Sequence, residues 1–125
     1  MSRTGTTNLH RRKVIRGLRG LSAKTGQSLW ERVAELLSSP RRRRIAVNLS
    51  KINRYSSSGE VIIVPGKVLG AGKIEKKITV IAESFSQKAF EKLNSAGCRI
   101  LLLGETASSQ EIASQLKGSR IKIIK

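Results

Sequence analysis

The sequence is poor in cysteine, histidine and aromatic residues, and each shortage excludes a class of structure or chemistry. Its 125 residues include one cysteine, one histidine, one tryptophan, one tyrosine and two phenylalanines. A single cysteine excludes an intramolecular disulfide, and one cysteine with one histidine is too few for a zinc site. Cys98 precedes an apolar run, so we expect it to be buried. With so few aromatic residues, Ile, Leu, Val and Ala must form the core, and little remains on which unpaired bases could stack.

Long apolar segments are also missing, which argues against a membrane role. No apolar run approaches the ~20 residues that a membrane-spanning helix needs. The most basic segments, residues 1–26 and 41–44, lack the broad apolar face of a helix that lies on a membrane surface. The amino-terminal segment has no apolar core of the secretory type. We therefore expect no membrane partner and a cytoplasmic location.

Catalysis needs titratable groups that converge, and the sequence offers no such set. The one histidine, His10, lies beside Arg11 and Arg12. We expect it to contact a phosphate or a nucleobase there and not to act as a general base in catalysis. The carboxylates occupy mainly solvated helix positions, such as Glu31 and Glu91. We expect no enzymatic activity, no metal, no cofactor and no small-molecule substrate.

A glycine-rich segment, residues 66–74 (GKVLGAGKI), follows an apolar strand and suggests a nucleotide-binding loop, but its spacing does not fit. The phosphate loop requires glycine where this sequence has Lys67, and serine or threonine where it has Ile74. We predict a turn between strands instead, with Lys67 and Lys73 facing a partner. A small nucleotide-dependent enzyme remains an alternative that this segment leaves open.

Positive charge is the strongest feature of the composition. The chain has 25 Lys and Arg against 8 acidic residues, a formal net charge of +17. Such an excess repels itself in the folded state unless a polyanion neutralises it. Cations that meet phosphates release condensed counterions, and this release drives binding to nucleic acid.

The charge is concentrated towards the amino terminus. Residues 1–26 contain seven Lys or Arg, no acidic residue and four glycines, with sparse apolar residues. We predict an extended RNA-binding arm at 1–26 that becomes ordered on its partner, followed by a globular α/β domain at 27–125. A disordered tail that aids solubility is the alternative for the arm. The run Arg41–Arg44 is predicted to bind phosphate oxygens, with a solvated charge run or a nuclear address signal as alternatives.

Helical and strand patterns alternate from residue 45 onwards, which predicts an α/β domain with parallel strands. Ser28 and Glu31 have the spacing of a capping box for a first helix that ends before Pro40. A later helix is predicted to begin at Ser84 or Ser86, with Ala89, Phe90 and Leu93 inside, and to end before Gly97. Strands are predicted at residues 45–49, 61–64, 67–69, 77–82, 99–103 and 121–124, and further helices at 51–54 and from Thr106 or Ser108 to Leu116.

Two segments resemble a known family, residues 47–55 (VNLSKINRY) and residues 64–72 (VPGKVLGAG). Both are similar to large-subunit ribosomal protein eighteen of the series shared by archaea and eukaryotes, a relative of bacterial large-subunit protein fifteen. The segment from residue 76 (KKITV) to Gly97 is similar too, and the short chain resembles archaeal members. The resemblance implies a single compact α/β domain of irregular strand-strand-helix turns. It also implies a basic amino-terminal extension laid into large-subunit ribosomal RNA, and neither catalysis nor cofactor.

Together these observations predict a structural constituent of the large ribosomal subunit, in contact with large-subunit rRNA and neighbouring ribosomal proteins. A basic DNA-packaging or transcription-associated protein is the alternative, although none of the predicted helices has the strongly basic outer face that a major-groove helix needs. Only Tyr55, beside Arg54, is a candidate to stack on a base. The predicted RNA-binding residues are Arg3, His10, Arg11, Arg12, Lys13, Arg16, Arg19, Lys24, Arg41, Arg42, Arg43, Arg44, Lys51, Asn53, Arg54, Tyr55, Lys67 and Lys73.

Overall fold

The computed structural model describes residues 2–38, 45–108 and 120–125. Its helices and strands alternate along most of the chain, as the sequence patterns predict. The helices are α1 (Ser2–Thr25), α2 (Ser28–Leu37), α3 (Leu49–Tyr55), α4 (Gln87–Ser95) and α5 (Leu103–Ser108). The strands are β1 (Ile45–Asn48), β2 (Val61–Leu69), β3 (Thr79–Phe85), β4 (Arg99–Leu102) and β5 (Ile121–Ile123).

The described strands form one parallel sheet, so the predicted α/β class and parallel pairing are confirmed. The order is β1-β2-β3-β4, and β5 pairs with β2. One edge of β2 is shared by two partners, each paired with a different half of the strand. Val61 to Ile63 pair with β5, whereas Gly66 to Leu69 pair with β1. Strand β3 runs along the other edge of β2.

From Val61 to Gly66, strand β2 is buried on both faces, because helices cover both sides of the sheet there. Val61 and Ile63 face one apolar cluster, which contains residues of α1 and α2. Ile62 and Val64 face the other cluster, which contains residues of α3 and α4. The alternation follows the two-residue period of a strand. Aliphatic residues dominate both clusters, as the scarcity of aromatic residues requires.

Residues 2–25 form a helix, so the prediction of an extended arm is wrong in conformation. Val14, Leu18 and Leu21 recur at helical spacing and are buried in the cluster shared with α2. The extended arm was predicted because residues 1–26 contain few apolar residues. Their spacing nevertheless lets one face of α1 pack against α2 and α5. Val14, Leu18 and Leu21 therefore belong to the folded core, whereas a role of residues 1–26 in RNA binding stays a prediction.

The start of α2 also differs from the prediction of a capping box. The helix begins at Ser28, and its N-cap is Gln27, whose side chain makes no capping hydrogen bond. Instead, Gln27 Oε1 accepts a hydrogen bond from Trp30 Nε1 at 3.0 Å. The indole of Trp30 is fully buried, and its N–H needs such an acceptor.

Strand β2 runs from Val61 to Leu69, so the break predicted at Pro65 and Gly66 is wrong. The pairing register with β3 shifts between Val64 and Lys67, an irregularity that lets the strand continue past the proline. A side chain at Gly66 would meet the carbonyl oxygen of Ile45 on β1. The glycine thus permits close pairing of β1 and β2.

Helix α4 confirms most of its sequence prediction. Ser86 is the N-cap and accepts a hydrogen bond from the Ala89 amide at 3.2 Å. Gly97 follows the helix with a φ of 79°. Ala89 and Leu93 are buried as predicted, but Phe90 is half-exposed and does not lie on the inner face. Cys98 is buried, as expected. The part of the last predicted helix that falls in residues 109–119 lies outside the described residues.

Candidate nucleic-acid interface

The outward face of α1 carries a row of arginines. Arg12, Arg16 and Arg19 are exposed and lie four and three residues apart, on the side of the helix opposite the buried face. With Ile15 and Ser38 they line a shallow depression of about 350 Å³. The burial of the apolar face fixes the helix, and the helix in turn holds these guanidinium groups on one side.

Two further predicted contacts lie on the same helix. Lys13 and Lys24 are exposed, and Lys24 is in the last turn. The predicted residues Arg3, His10 and Arg11 belong to α1, but their side chains lie outside the described residues, as do Arg41, Arg42, Arg43 and Arg44. Like charges one turn apart repel each other slightly, by about 0.2–0.5 kcal/mol per pair, and bound phosphates would relieve this repulsion.

A second group of predicted residues lies on α3. Arg54 and Tyr55 are exposed at its carboxyl end. Lys51 is exposed, and its Nζ donates a hydrogen bond to the Lys125 carbonyl oxygen at 2.7 Å. Asn53 Oδ1 accepts a hydrogen bond from the Glu75 amide at 3.1 Å. Asn53 therefore joins α3 to the segment after the glycine turn, and a role in RNA binding stays a prediction.

The glycine turn, Gly70-Ala71-Gly72, packs against two helices. The Ser50 amide donates a hydrogen bond to the Ala71 carbonyl oxygen at 3.1 Å, and a side chain at Gly72 would collide with Ser50. Lys92 Nζ donates hydrogen bonds to the carbonyl oxygens of Gly70 at 2.7 Å and Gly72 at 2.8 Å. The glycines thus serve close packing, which gives a structural reason for a motif that fails as a phosphate loop.

Lys67 and Lys73 are exposed on either side of this turn. Lys67 lies within β2, with Ala46 of β1 and Ser84 of β3 as its partners in register. Register partners project from the same face of a sheet. Ala46 is exposed too, so within the described residues Lys67 and Ala46 form an exposed part of this sheet face.

Two lysines that were not predicted as functional satisfy the carboxyl end of α3. Lys76 Nζ donates hydrogen bonds to the carbonyl oxygens of Asn53, at 2.6 Å, and of Ser56. Lys122 Nζ donates one to the Tyr55 carbonyl oxygen at 3.1 Å. Carbonyls in the last turn of a helix lack partners within the helix, and cations stabilise that end. No local pattern marks these lysines, because their acceptors lie at least 20 residues away.

Glu60 is a buried carboxylate that the sequence analysis did not single out. Its Oε1 accepts a hydrogen bond from the Ser57 amide at 2.6 Å and lies 3.3 Å from Lys122 Nζ. Burial alone raises the pKa of this carboxyl, but the Ser57 amide and the charges of Lys122 and Arg120 outweigh burial, so the pKa of Glu60 lies below its ordinary value. Its place directly before a run of β-branched residues is the signal that could have indicated burial.

The described residues contain no cluster of three or more histidine, cysteine or acidic side chains that could hold a metal ion. Within the same residues, no helix is both long enough and apolar enough to cross a membrane.

Comparison with known proteins agrees with the resemblance seen in the sequence. A family model that describes the ribosomal proteins 50S-L15 and 50S-L18e, together with protein twenty-seven A of the 60S subunit, matches residues 28–101. A protein of Thermoplasma acidophilum named large ribosomal subunit protein eL18 is 44% identical over 111 residues, which cover 89% of this chain and 88% of that protein. A protein of the same name from Sulfolobus acidocaldarius is 42% identical over 125 residues, covering 100% of this chain and 99% of that protein. The chain therefore belongs to the ribosomal protein family that unites 50S-L15 and 50S-L18e with their 60S relative.

Proposed function

We propose that the chain is a structural constituent of the large ribosomal subunit and that it binds and stabilises large-subunit rRNA. Membership in the ribosomal family supports this proposal, since the relatives are large-subunit proteins by name. The observation that carries the RNA-binding part is the exposed row Arg12, Arg16 and Arg19 on a helix whose other face is buried. The role is structural, not enzymatic, and its location is the cytoplasm, on the ribosome.

The packing of α1 makes this interface preorganised. Leu18 and Leu21 anchor the helix in the core, so the backbone that carries its arginines is ordered before binding. An ordered backbone avoids much of the conformational entropy that a disordered arm would lose on binding. Arginine also presents a planar fork of donors that fits phosphate oxygens in a bidentate way.

Recognition of RNA backbone and shape fits the side chains better than reading of unpaired bases. Trp30 is fully buried, so it cannot stack on a base. Tyr55 is 52% exposed and lies next to Arg54, which makes it the aromatic residue best placed for stacking. The exposed part of the sheet face at Lys67 adds a further cation. We include the run Arg41–Arg44 among the proposed phosphate contacts on sequence grounds alone.

Co-sedimentation with ribosomes tests the proposal. We expect the tagged chain, expressed in the organism that encodes it, to sediment with large subunits in about 0.5 M salt, where contacts between exposed charges are strongly screened. The bound protein should approach one copy per large subunit. A chain that remained at the top of the gradient would contradict the proposal.

The role of α1 is tested with a charge variant and a matched control. Binding to large-subunit rRNA fragments weakens as salt rises, and the slope of log affinity against log salt concentration counts the phosphate contacts. Replacing Arg12, Arg16 and Arg19 by glutamine should reduce the size of this slope by about 2–3, because up to three phosphate contacts are lost. The control replaces Arg32, Lys77 and Lys88 by glutamine, which removes the same charge from exposed positions elsewhere. Equal losses in both variants would show that total charge, not the row on α1, sets the affinity.

A further inference from the structure

An apolar groove lies between α4 and β4. Phe85 and Ile100 are partly buried against the core, whereas Phe90 is 50% exposed and Leu102 is 41% exposed. Gln87 and Glu105 complete the lining, and the groove encloses about 460 Å³. This volume is in the range of pockets that bind a ligand or an anchoring side chain.

The exposed apolar side chains are concentrated in this groove. Among the described residues, the exposed large apolar side chains are Tyr55, Phe90 and Leu102, and two of the three line the groove. Single exposed apolar residues are ordinary, whereas two that line one groove form a local apolar surface. The groove is therefore a surface that a partner can cover.

The charge of the groove is opposite to that of the whole chain. Among its lining residues the ionisable group is a carboxylate, Glu105, in a protein of net charge +17. Glu91 lies close by on α4, where its Oε1 accepts a hydrogen bond from Gln87 Nε2 at 3.3 Å. A phosphate backbone would meet apolar carbon and negative charge here, which excludes the groove as an extension of the RNA-binding surface.

We propose that this groove binds a lysine- or arginine-bearing segment of another protein. An apolar side chain of the segment packs between Phe90 and Leu102. The lysine or arginine of the segment pairs with Glu105. Strand β4 is the outer strand on this side of the described sheet, so an extended segment can also pair with its backbone. The inference does not depend on RNA binding, because different residues form the two surfaces.

Photocross-linking from position 90 tests the proposal. The full-length chain with Phe90→p-benzoylphenylalanine is expressed in the organism that encodes it, irradiated in intact cells, and the cross-linked peptides are sequenced by mass spectrometry. We expect one protein partner, joined at an apolar residue with lysine or arginine nearby in its sequence. A cross-link to RNA or to a second copy of this chain, or no cross-link, would overturn the proposal.

Charge variants distinguish specific binding in the groove from non-specific association with other proteins. Adding Glu105→Lys should lower the yield of that cross-link about tenfold, because the cation of the partner then meets a like charge. Adding Glu75→Lys, the same charge change at an exposed position outside the groove, should leave the yield unchanged. Thermal unfolding of both variants checks that the fold is intact. Equal loss in the two variants, or loss in neither, counts against the pairing with Glu105.

Discussion

Gly17 and Gly20 lie in the same helix but in different surroundings. A Cβ at Gly17 would lie 2.9 Å from Ala107 Cβ on α5, whereas a Cβ at Gly20 would have no atom within 4 Å. We expect Gly20→Ala to stabilise the protein by about 0.5–1 kcal/mol, the gain in helix propensity. Gly17→Ala should destabilise it by about 1–3 kcal/mol, because α1 must move away from α5. Urea denaturation measures both, and equal effects would contradict this account.

Lys76 and Lys77 are neighbours with different tasks. Lys76 Nζ satisfies carbonyl oxygens at the end of α3, whereas Lys77 is exposed. Lys76→Met should lower the free energy of unfolding by about 1–3 kcal/mol, because it leaves those carbonyls without a partner. Lys77→Met removes the same charge and should change stability by less than about 0.5 kcal/mol. If both variants behave alike, net charge rather than this helix cap explains the effect.

Glu60 makes the free energy of unfolding depend on pH in the acidic range. Its pKa is lowered in the folded state, so its contribution is present above the ordinary carboxyl pKa of about 4.3 and is lost as the pH falls through the folded pKa. Glu60→Gln should therefore be less stable than the unmodified protein at neutral pH, and the difference should shrink as the pH falls below about 4. Denaturation in urea at several pH values measures the difference. A constant difference would contradict the argument.

At the scale of elements, α1 is part of the core. Leu18 is fully buried in the cluster that also contains Trp30 and Leu103. Leu18→Ala should cost about 2–5 kcal/mol, whereas Leu102→Ala, at an exposed position, should cost much less. Deletion of residues 1–26 should destabilise the remainder more than Leu18→Ala does. Unchanged thermal unfolding of the truncated chain would show that α1 does not contribute to the core.

The elements that the sequence predicted well have strong local signals. Helix α4 has Ser86 at its start and Gly97 after its end, and β2 contains a run of β-branched residues. The failures have tertiary causes. The break expected at Pro65 did not occur because β1 and β3 both hold the chain in strand conformation. Likewise, α1 is a helix because α2 and α5 bury one of its faces, which its low apolar content did not indicate.

The candidate site was predictable in composition more than in geometry. Exposure of the predicted cations on α1, such as Arg12 and Arg16, follows from charge alone. Their alignment on one face needed the helix, which the prediction of an extended arm missed. The sequence gives no sign that Lys76 and Lys92 support the backbone, because their acceptors are distant in the chain.

For the whole molecule, the net charge of +17 should make the free protein sensitive to salt. Repulsion among the cations opposes the compact state, and salt shortens its range from about 30 Å at 0.01 M to about 8 Å at 0.15 M. We expect the Tm of the isolated chain to rise over this range of sodium chloride. Replacing Arg12, Arg16 and Arg19 by glutamine should make the rise smaller. A Tm that does not rise with salt would show that repulsion is negligible.

The shared edge of β2 has a consequence for synthesis of the chain. Val61 to Ile63 take their partner on that edge from β5, about 60 residues further along. During translation, the backbone N–H and C=O groups on this edge have no β5 partner until residues 121–123 have left the exit tunnel. Until then an aliphatic strand presents an open hydrogen-bonding edge, the kind that invites aggregation. A nascent chain halted before residue 121 should thus need a chaperone that the full-length chain can dispense with.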